Sequence, residues 1–154
     1  MIVIARDGVL NDCELGSVNH RTQLCLRDDR VAQLVELHRA GHEIVLIASQ
    51  PGLSVGTLGL DELDAIHSQV HQAVEAAGGQ IAGLFYCPHE ANDQCNCKPP
   101  ATGLFEVIAI EYDIALDQII CFSANESEQT AAAQAGCRVI ATNQNPSTSL
   151  IDLL

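Results

Sequence analysis

Three cysteines and one histidine lie within eleven residues of this chain, at Cys87, His89, Cys95 and Cys97. Thiolate and imidazole groups are the ligands that Zn²⁺ prefers, and four of them complete a tetrahedral shell at about 2.0–2.3 Å. Such a set leaves no coordination position for water, so the spacing predicts a structural zinc rather than a catalytic one. The segment from residue 87 to 97 is therefore predicted to be a zinc-binding loop, whose folding would be coupled to metal binding.

The other cysteines and histidines show no comparable pattern. His67 and His71 lie four residues apart on one predicted helix, but no third ligand accompanies them, so we interpret them as a solvated face or an interface patch. Two of the remaining cysteines lie in apolar runs, where cysteine acts as a small buried hydrophobic residue, and two lie in predicted loops or strands. None of the four receives a chemical role: Cys13, Cys25, Cys121 and Cys137.

Short apolar runs alternate with amphipathic helices along the chain. Strands are predicted at 1–5, 43–48, 81–86, 118–122 and 137–141, and helices at 28–40, 61–77, 103–112, 125–135 and 147–154. Continuously apolar strands separated by helices are typical of a mostly parallel sheet covered on both faces, an α/β fold with three layers. Residues 9–27 show no period and are predicted to form an irregular loop. The length of 154 residues and the lack of a long linker predict a single domain, 1–154.

Ligands of an open α/β sheet bind beyond the carboxyl ends of its strands. Four segments are expected to meet at that edge, namely residues 5–11, 49–52, 97–100 and 123–127. Their polar side chains include Asp7, Ser49 and Lys98, whereas we expect Arg6 to face solvent. The sequence therefore predicts a ligand site at this edge of the sheet.

The charge of the chain restricts its partners. Twenty acidic against seven basic residues give a formal net charge of −13. Nucleic acids and anionic membranes attract positively charged surfaces, so this balance excludes both as expected partners. No apolar run approaches the ~20 residues of a membrane-spanning helix, and the first residues lack the pattern of a signal peptide, so we expect a cytoplasmic protein.

The segments at the sheet edge resemble those of the haloacid dehalogenase-like (HAD-like) phosphatases. More narrowly, the chain is similar to the subgroup of D-glycero-D-manno-heptose-1,7-bisphosphate phosphatases and histidinol-phosphate phosphatases. Cys-Pro-His followed by Cys-x-Cys resembles the loop with which that subgroup holds zinc, and Asp-Gly-Val-Leu-Asn at 7–11 resembles its first motif. Ser-Gln-Pro-Gly at 49–52 resembles the second motif, which implies that Ser49 binds the phosphoryl group. The resemblance runs from Ile4 to about Asn145 and implies a HAD-like Rossmannoid three-layer sandwich with a minimal cap.

The chain departs from this family at the nucleophile. The first motif of the family reads Asp-x-Asp, in which the first Asp forms an aspartyl-phosphate and the second is the general acid and base. Ala5 occupies the first position and Asp7 the second. Alanine has no lone pair with which to attack phosphorus, so covalent catalysis is excluded at this position. With Ala5 beside it, we interpret Asp7 as a turn residue that accepts backbone N–H groups.

Further departures affect the metal and the cations of the family. Ser123 and Ser127 occupy two positions of the fourth motif at which the family carries Asp residues that help to hold Mg²⁺. Because Mg²⁺ prefers charged oxygen ligands, these replacements disfavour magnesium as a cofactor. Lys98 matches either the Arg or the Lys of the third motif, depending on a one-residue gap. In both alignments one cation is missing.

These losses predict a catalytically inactive or strongly impaired phosphatase-like protein, a pseudophosphatase with a structural zinc. Its role would be to bind a phosphorylated small molecule or a protein partner. One alternative is an active sugar-phosphate or histidinol-phosphate phosphatase, in which Asp7 activates water on a phosphoryl group held by Ser49 and Lys98. A second alternative is a purely structural or oligomeric protein, with Phe122 filling part of the former pocket.

Overall fold

The computed structural model describes residues 1–12, 16–144 and 146–154. Cys13 and Asn145 lie outside the described residues. The described chain contains five strands, β1 (Ile2–Ala5), β2 (Ile44–Ser49), β3 (Gly83–Cys87), β4 (Ile120–Ser123) and β5 (Arg138–Ala141). It also contains five α-helices, α1 (Asp28–Arg39), α2 (Gly52–Val55), α3 (Leu60–Ala76), α4 (Gly103–Glu111) and α5 (Glu126–Ala135). Short 3₁₀ helices lie at Arg21–Gln23, Ala91–Asp93, Leu116–Gln118, Thr142–Gln144 and Ile151–Leu153.

The five strands form one parallel sheet in the order β3-β2-β1-β4-β5. Ile2 in the central strand pairs with Ile44 on one side and with Ile120 on the other. With this strand order, the right-handed rule for parallel crossovers assigns α1 and α3 to one face of the sheet and α4 and α5 to the other. The contacts of α1 with α3 and of α4 with α5 agree with this assignment. The predicted three-layer α/β architecture with a parallel sheet is confirmed.

The apolar runs form strands because both faces of the sheet are covered. All four residues of β1 are buried, as are the first five of β2, and these positions are occupied by Ile, Val, Leu and Ala. Cys121 and Cys137 are buried, as predicted from their apolar surroundings. Phe122 is fully buried within this core. The alternative in which its ring fills part of the former pocket stays a prediction.

Several element boundaries differ from those predicted. The helix α1 ends at Arg39, one residue earlier than predicted. Arg27 occupies its N-cap position, and Asp28 and Asp29 lie in the first turn, where the helix dipole favours their charge. The helix α2 was not predicted, because Pro51 and Gly52 indicated a break; proline is compatible with a helix start. The helix expected at 147–154 is reduced to a single 3₁₀ turn at Ile151–Leu153.

His67 does not lie on the solvated face or interface patch that was predicted for it on α3. The ring of His67 packs on Tyr86 with centroids 5.5 Å apart, and its Nε2 atom is buried. Burial, with a smaller contribution from the Arg6 charge, lowers the pKa of His67 to about 4. This histidine is therefore a neutral packing residue near neutral pH. None of the helices that the structure describes is long and apolar enough to cross a membrane.

Candidate active site and metal centre

A cavity of about 380 Å³ opens at the carboxyl ends of the central strands. It lies where the strand order reverses between β1 and β4, the position at which α/β sheets bind ligands. The cavity brings together the three predicted site residues, which come from three separate segments of the chain. Its polar lining includes Asp7, Ser49, Lys98, Asn125, Ser127 and Glu128.

Side-chain donors fix the carboxylate of Asp7. Arg6 donates from Nε to Oδ1 at 3.0 Å and from Nη2 to Oδ2 at 2.7 Å, and Asn11 donates to Oδ1 at 2.9 Å. Arg6 also donates to Gln50 at 2.6 Å, and the Gln50 amide donates to the carbonyl of Val18 at 2.8 Å. The interpretation of Asp7 as an acceptor of backbone N–H groups is therefore wrong, since its described partners are side chains.

Arg6 is fully buried, so the expectation that it faces solvent is wrong. A buried guanidinium requires acceptors for its N–H groups. The carboxylate of Asp7 and the amide oxygen of Gln50 accept from Nε and Nη2, whereas the buried Nη1 has no hydrogen-bond partner among the described residues. The ion pair joins the buried positive charge of Arg6 to the carboxylate of Asp7, which lines the cavity. The two charges therefore compensate each other.

The positions of the missing carboxylates are occupied by small side chains. Ala5 ends β1 and is buried, with its backbone paired to Ile47 of β2. Ser123 is also buried; its hydroxyl accepts an N–H from Asn125 at 3.0 Å and donates to Glu128 at 2.5 Å. Ser127 lies exposed on the rim.

Glu128 is a site residue that the sequence reasoning missed. Its side chain turns back from the first turn of α5 to Ser123 and lines the cavity together with Asp7. Burial raises the pKa of Glu128 to about 7, and the Asp7 charge adds to this effect, while the Ser123 hydrogen bond opposes it. A signal was present, because the spacing Asn125-x-x-Glu128 is that of an N-cap and its third helical residue, where a glutamate reaches back beyond the helix start.

The four predicted metal ligands form one cluster. The Sγ atom of Cys87 lies 3.7 Å from that of Cys95 and 3.2 Å from that of Cys97, and the Nδ1 atom of His89 lies 3.3 Å from the Cys97 sulfur. A tetrahedral ion with ligands at about 2.3 Å would separate sulfur atoms by about 3.8 Å, close to this arrangement. Among the described residues, this is the one group of three or more His, Cys, Asp or Glu ligands arranged to hold a metal.

The loop that carries the four predicted metal ligands also positions Lys98 in the cavity. The Lys98 backbone N–H donates to the Cys95 sulfur at 3.3 Å, and its ammonium donates to the His89 carbonyl at 3.4 Å. Gly103 donates its N–H to the Asn96 carbonyl at 2.8 Å, and a Cβ atom on Gly103 would lie 2.3 Å from that oxygen. The loop therefore contacts the start of α4 through Asn96 and Gly103 and reaches the cavity through Lys98.

The cavity does not offer the oxygen ligands that the family resemblance implies for Mg²⁺. No carboxylate stands at Ala5, Ser123 or Ser127, and the two carboxylates present already accept hydrogen bonds from Arg6, Asn11 and Ser123. Mg²⁺ requires near-octahedral oxygen coordination, preferably with charged ligands. These residues do not fit that requirement.

No family model matches the chain. Among curated proteins, it is 32% identical over 137 residues to D-glycero-beta-D-manno-heptose-1,7-bisphosphate 7-phosphatase of Bordetella bronchiseptica, covering 89% of this chain and 76% of that protein. It is 27% identical to the protein of the same name from Pseudomonas putida, covering 91% of this chain and 80% of the relative.

Among solved structures, a similar one is D,D-heptose 1,7-bisphosphate phosphatase from B. bronchiseptica complexed with magnesium and phosphate. Its TM-score is 0.86 at 32% identity, covering 90% of this chain and 77% of the other. The corresponding enzyme from Burkholderia thailandensis shares the fold with a TM-score of 0.65 at 24% identity. On this similarity in sequence and fold, the chain belongs to the family of D,D-heptose 1,7-bisphosphate phosphatases, with the HAD-like fold.

Proposed function

We propose that this protein binds a phosphorylated sugar or a related phosphate monoester in its cavity and hydrolyses it there. The observation that carries the proposal is the convergence of Asp7, Ser49 and Lys98 on one open cavity at the topological switch of the sheet. Membership of a family whose named relatives are phosphatases supports the same activity.

The chemistry proposed for this site differs from an aspartyl-phosphate mechanism, because Ala5 offers no nucleophile. The Ser49 hydroxyl and the Lys98 ammonium would hold the phosphoryl oxygens. A water oxygen would attack phosphorus, and the bond to the sugar oxygen would break. Asp7, at the acid and base position of the family, would accept the proton of that water and return it to the departing oxygen. Loss of a nucleophile commonly lowers kcat by about 10⁴–10⁶-fold, so we expect slow turnover.

We propose that Cys87, His89, Cys95 and Cys97 hold Zn²⁺. The three thiol groups and one imidazole match the preference of this ion, and four protein ligands leave no place for a reacting water. Bound zinc would stabilise the loop. Lys98, which follows the last ligand, would thereby be kept at the cavity.

A second candidate function is binding without turnover. Ala5, Ser123 and Ser127 stand where the family resemblance implies catalytic and metal-binding carboxylates, and this combination favours a pseudophosphatase that binds a phosphorylated small molecule. The open cavity suits a ligand-binding role of this kind.

A phosphatase assay separates the two candidates. Zinc-loaded protein is incubated with heptose 1,7-bisphosphate, histidinol phosphate or p-nitrophenyl phosphate, with and without Mg²⁺, and phosphate release is measured. We expect slow release that Lys98→Met and Asp7→Asn each abolish, with both variants purified in the same way to exclude a contaminating enzyme. Binding by calorimetry without any release above that of the Asp7→Asn protein would refute hydrolysis and support the second candidate.

A further inference from the structure

The cavity wall carries a second carboxylate and only one lysine. Glu128 lines the cavity with Asp7, and Lys98, the only lysine of the sequence, is the cation on the same wall. Glu128 is held in place by the hydrogen bond from the buried Ser123 hydroxyl at 2.5 Å. Its carboxyl group therefore belongs to the fixed architecture of the cavity rather than to a freely moving surface side chain.

Among the described contacts, the arginines do not supply a further cation to the cavity. Arg6 is the nearest, and its charge is compensated by the two hydrogen bonds to Asp7. The others are engaged elsewhere: Arg21 with Glu62, Arg27 with Asp29, Arg30 with the carbonyls of Pro146 and Thr148, Arg138 with the carbonyl of Leu154, and Arg39 beside Gly78.

The fixed charges at the cavity therefore suit only one phosphoryl group. The Arg6 and Asp7 charges cancel, and an ionised Glu128 offsets Lys98. One phosphoryl group carries about two negative charges near neutral pH, and Lys98, Ser49 and the rim hydroxyl of Ser127 can bind it. A second phosphoryl group would bring as much charge again, whereas Lys98 is the single lysine or arginine among the residues that line the cavity and stands with two carboxyl groups, Asp7 and Glu128.

We propose that Glu128 makes this cavity selective for ligands with a single phosphoryl group and against bisphosphates. The remainder of such a ligand is uncharged and rich in hydroxyl groups, which can donate hydrogen bonds to Glu128. This inference rests on the proposed function only in taking the cavity as the ligand site. It does not depend on turnover.

The test compares two ligands that differ by one phosphoryl group, fructose 6-phosphate and fructose 1,6-bisphosphate. Their affinities for the zinc-loaded protein are measured by calorimetry at pH 8 and constant ionic strength. We expect the monophosphate to bind at least roughly tenfold more tightly than the bisphosphate. In Glu128→Gln both affinities should rise, and the bisphosphate affinity should rise more, so that the ratio falls below about threefold.

The matched control is Glu126→Gln, which removes the same charge from the same helical turn at an exposed position that does not line the cavity. It should leave the ratio of affinities unchanged. Glu128→Ala provides a second variant without the charge if the glutamine side chain disturbs Ser123. Circular dichroism confirms that each variant is folded.

Equal affinities of the wild-type protein for the two sugars would overturn the proposal, as would a ratio that Glu128→Gln leaves unchanged. The proposal would also be overturned if neither sugar phosphate bound to the protein. Selective binding without phosphate release would refute hydrolysis and leave this inference standing. Release of phosphate from both sugars with equal kcat/KM would support hydrolysis and overturn the proposed selectivity.

Discussion

The ion pair of Arg6 with Asp7 joins the core of the protein to its cavity. Arg6 has no exposed surface, whereas the side chain of Asp7 is 16% exposed, so the pair spans the boundary between the two environments. Removing one partner of such a pair leaves the other charge poorly solvated, which costs more free energy than removing both. The pair therefore determines both the local stability of the turn after β1 and the charge that a ligand meets.

We expect Arg6→Met to lower the free energy of unfolding by about 3 kcal/mol, because Asp7 loses its main donors and Gln50 loses a buried partner. Urea unfolding measures this change. The double variant Arg6→Met with Asp7→Asn should recover part of the loss, since no uncompensated carboxylate remains. Strictly additive effects of the two substitutions would contradict the coupling.

Glu128 should give the protein a characteristic pH dependence. Burial raises its pKa from the usual 4.5 to about 7, so between these values the folded protein holds this proton more often than the unfolded chain does. The contribution of Glu128 to stability therefore falls as the pH rises through this window and is constant above it. We expect Glu128→Gln to gain about 1–3 kcal/mol relative to the wild-type protein between pH 5 and pH 8.

Urea unfolding of both proteins at the two pH values gives this difference directly. Glu126→Gln again serves as the control, because its side chain is exposed and the pH dependence of its stability should follow that of the wild-type protein. Parallel stability curves for the wild-type protein and Glu128→Gln would show that the buried carboxylate does not titrate in this range.

At the scale of single residues, the sequence predicted which types of side chain reach the cavity better than it predicted their partners. Asp7, Ser49 and Lys98 follow strands or a recognisable loop, and their convergence follows from strand order. Arg6 looked like a solvent-facing residue because its acceptor Gln50 lies 44 positions away. Glu128 was missed because its spacing from Asn125 indicates a side chain at the helix start but does not identify the hydrogen bond from Ser123 that holds it at the cavity.

The loop between β3 and α4 is the element that the fold stabilises least by apolar packing. Among the residues from 87 to 97, only Cys87 is fully buried, and Cys95 and Cys97 are partly exposed. Ser54 of α2 donates to Asp93 of the loop at 2.6 Å, an exposed contact that adds little stability by itself. We therefore expect the conformation of this loop to depend on the proposed Zn²⁺.

We expect one zinc ion per chain by elemental analysis, and none in Cys97→Ser. Removing the metal with a chelator under reducing conditions should speed hydrogen exchange of the amides from 87 to 98, while β1 and β2 remain protected. It should also weaken phosphate binding, because Lys98 loses its support. Cys25→Ser, at an exposed cysteine outside the cluster, should retain the metal. Unchanged exchange in the loop after chelation would contradict a structural ion.

At the scale of elements, the continuously apolar strands were predicted well because burial on both faces leaves a strong signal. The start of β3 was predicted two residues too early, because Ile81 is buried like a strand residue but does not pair with β2. The short helix α2 escaped prediction because four residues cannot display a helical period, and its Pro51-Gly52 start also indicates a turn.

The whole molecule carries a large excess of negative charge, with 20 acidic and 7 basic residues. The described ion pairs of lysine and arginine with carboxylates are few, so most acidic groups repel one another across the surface. Such repulsion destabilises the compact state and is screened by salt, whose Debye length falls from about 10 Å at 0.1 M to 3 Å at 1 M.

We therefore expect the free energy of unfolding to rise between 0.05 and 0.5 M NaCl (an increase on the order of 1 kcal/mol from screening alone). Urea unfolding at a series of salt concentrations measures this. KCl should act equally, because screening does not distinguish monovalent cations. A fall in stability with added salt would mean that attractive pairs outweigh the repulsion.

The central strand of the sheet is also the first of the five described strands to be synthesised. β1 finds β2 on one side within about fifty residues, but its other neighbour, β4, is synthesised only at Ile120–Ser123. Until then this wholly apolar strand has an unpaired edge, which is the kind of surface on which strands of different chains associate. Cotranslational chaperones should accordingly matter more for this protein than for one whose early strand lies at the rim.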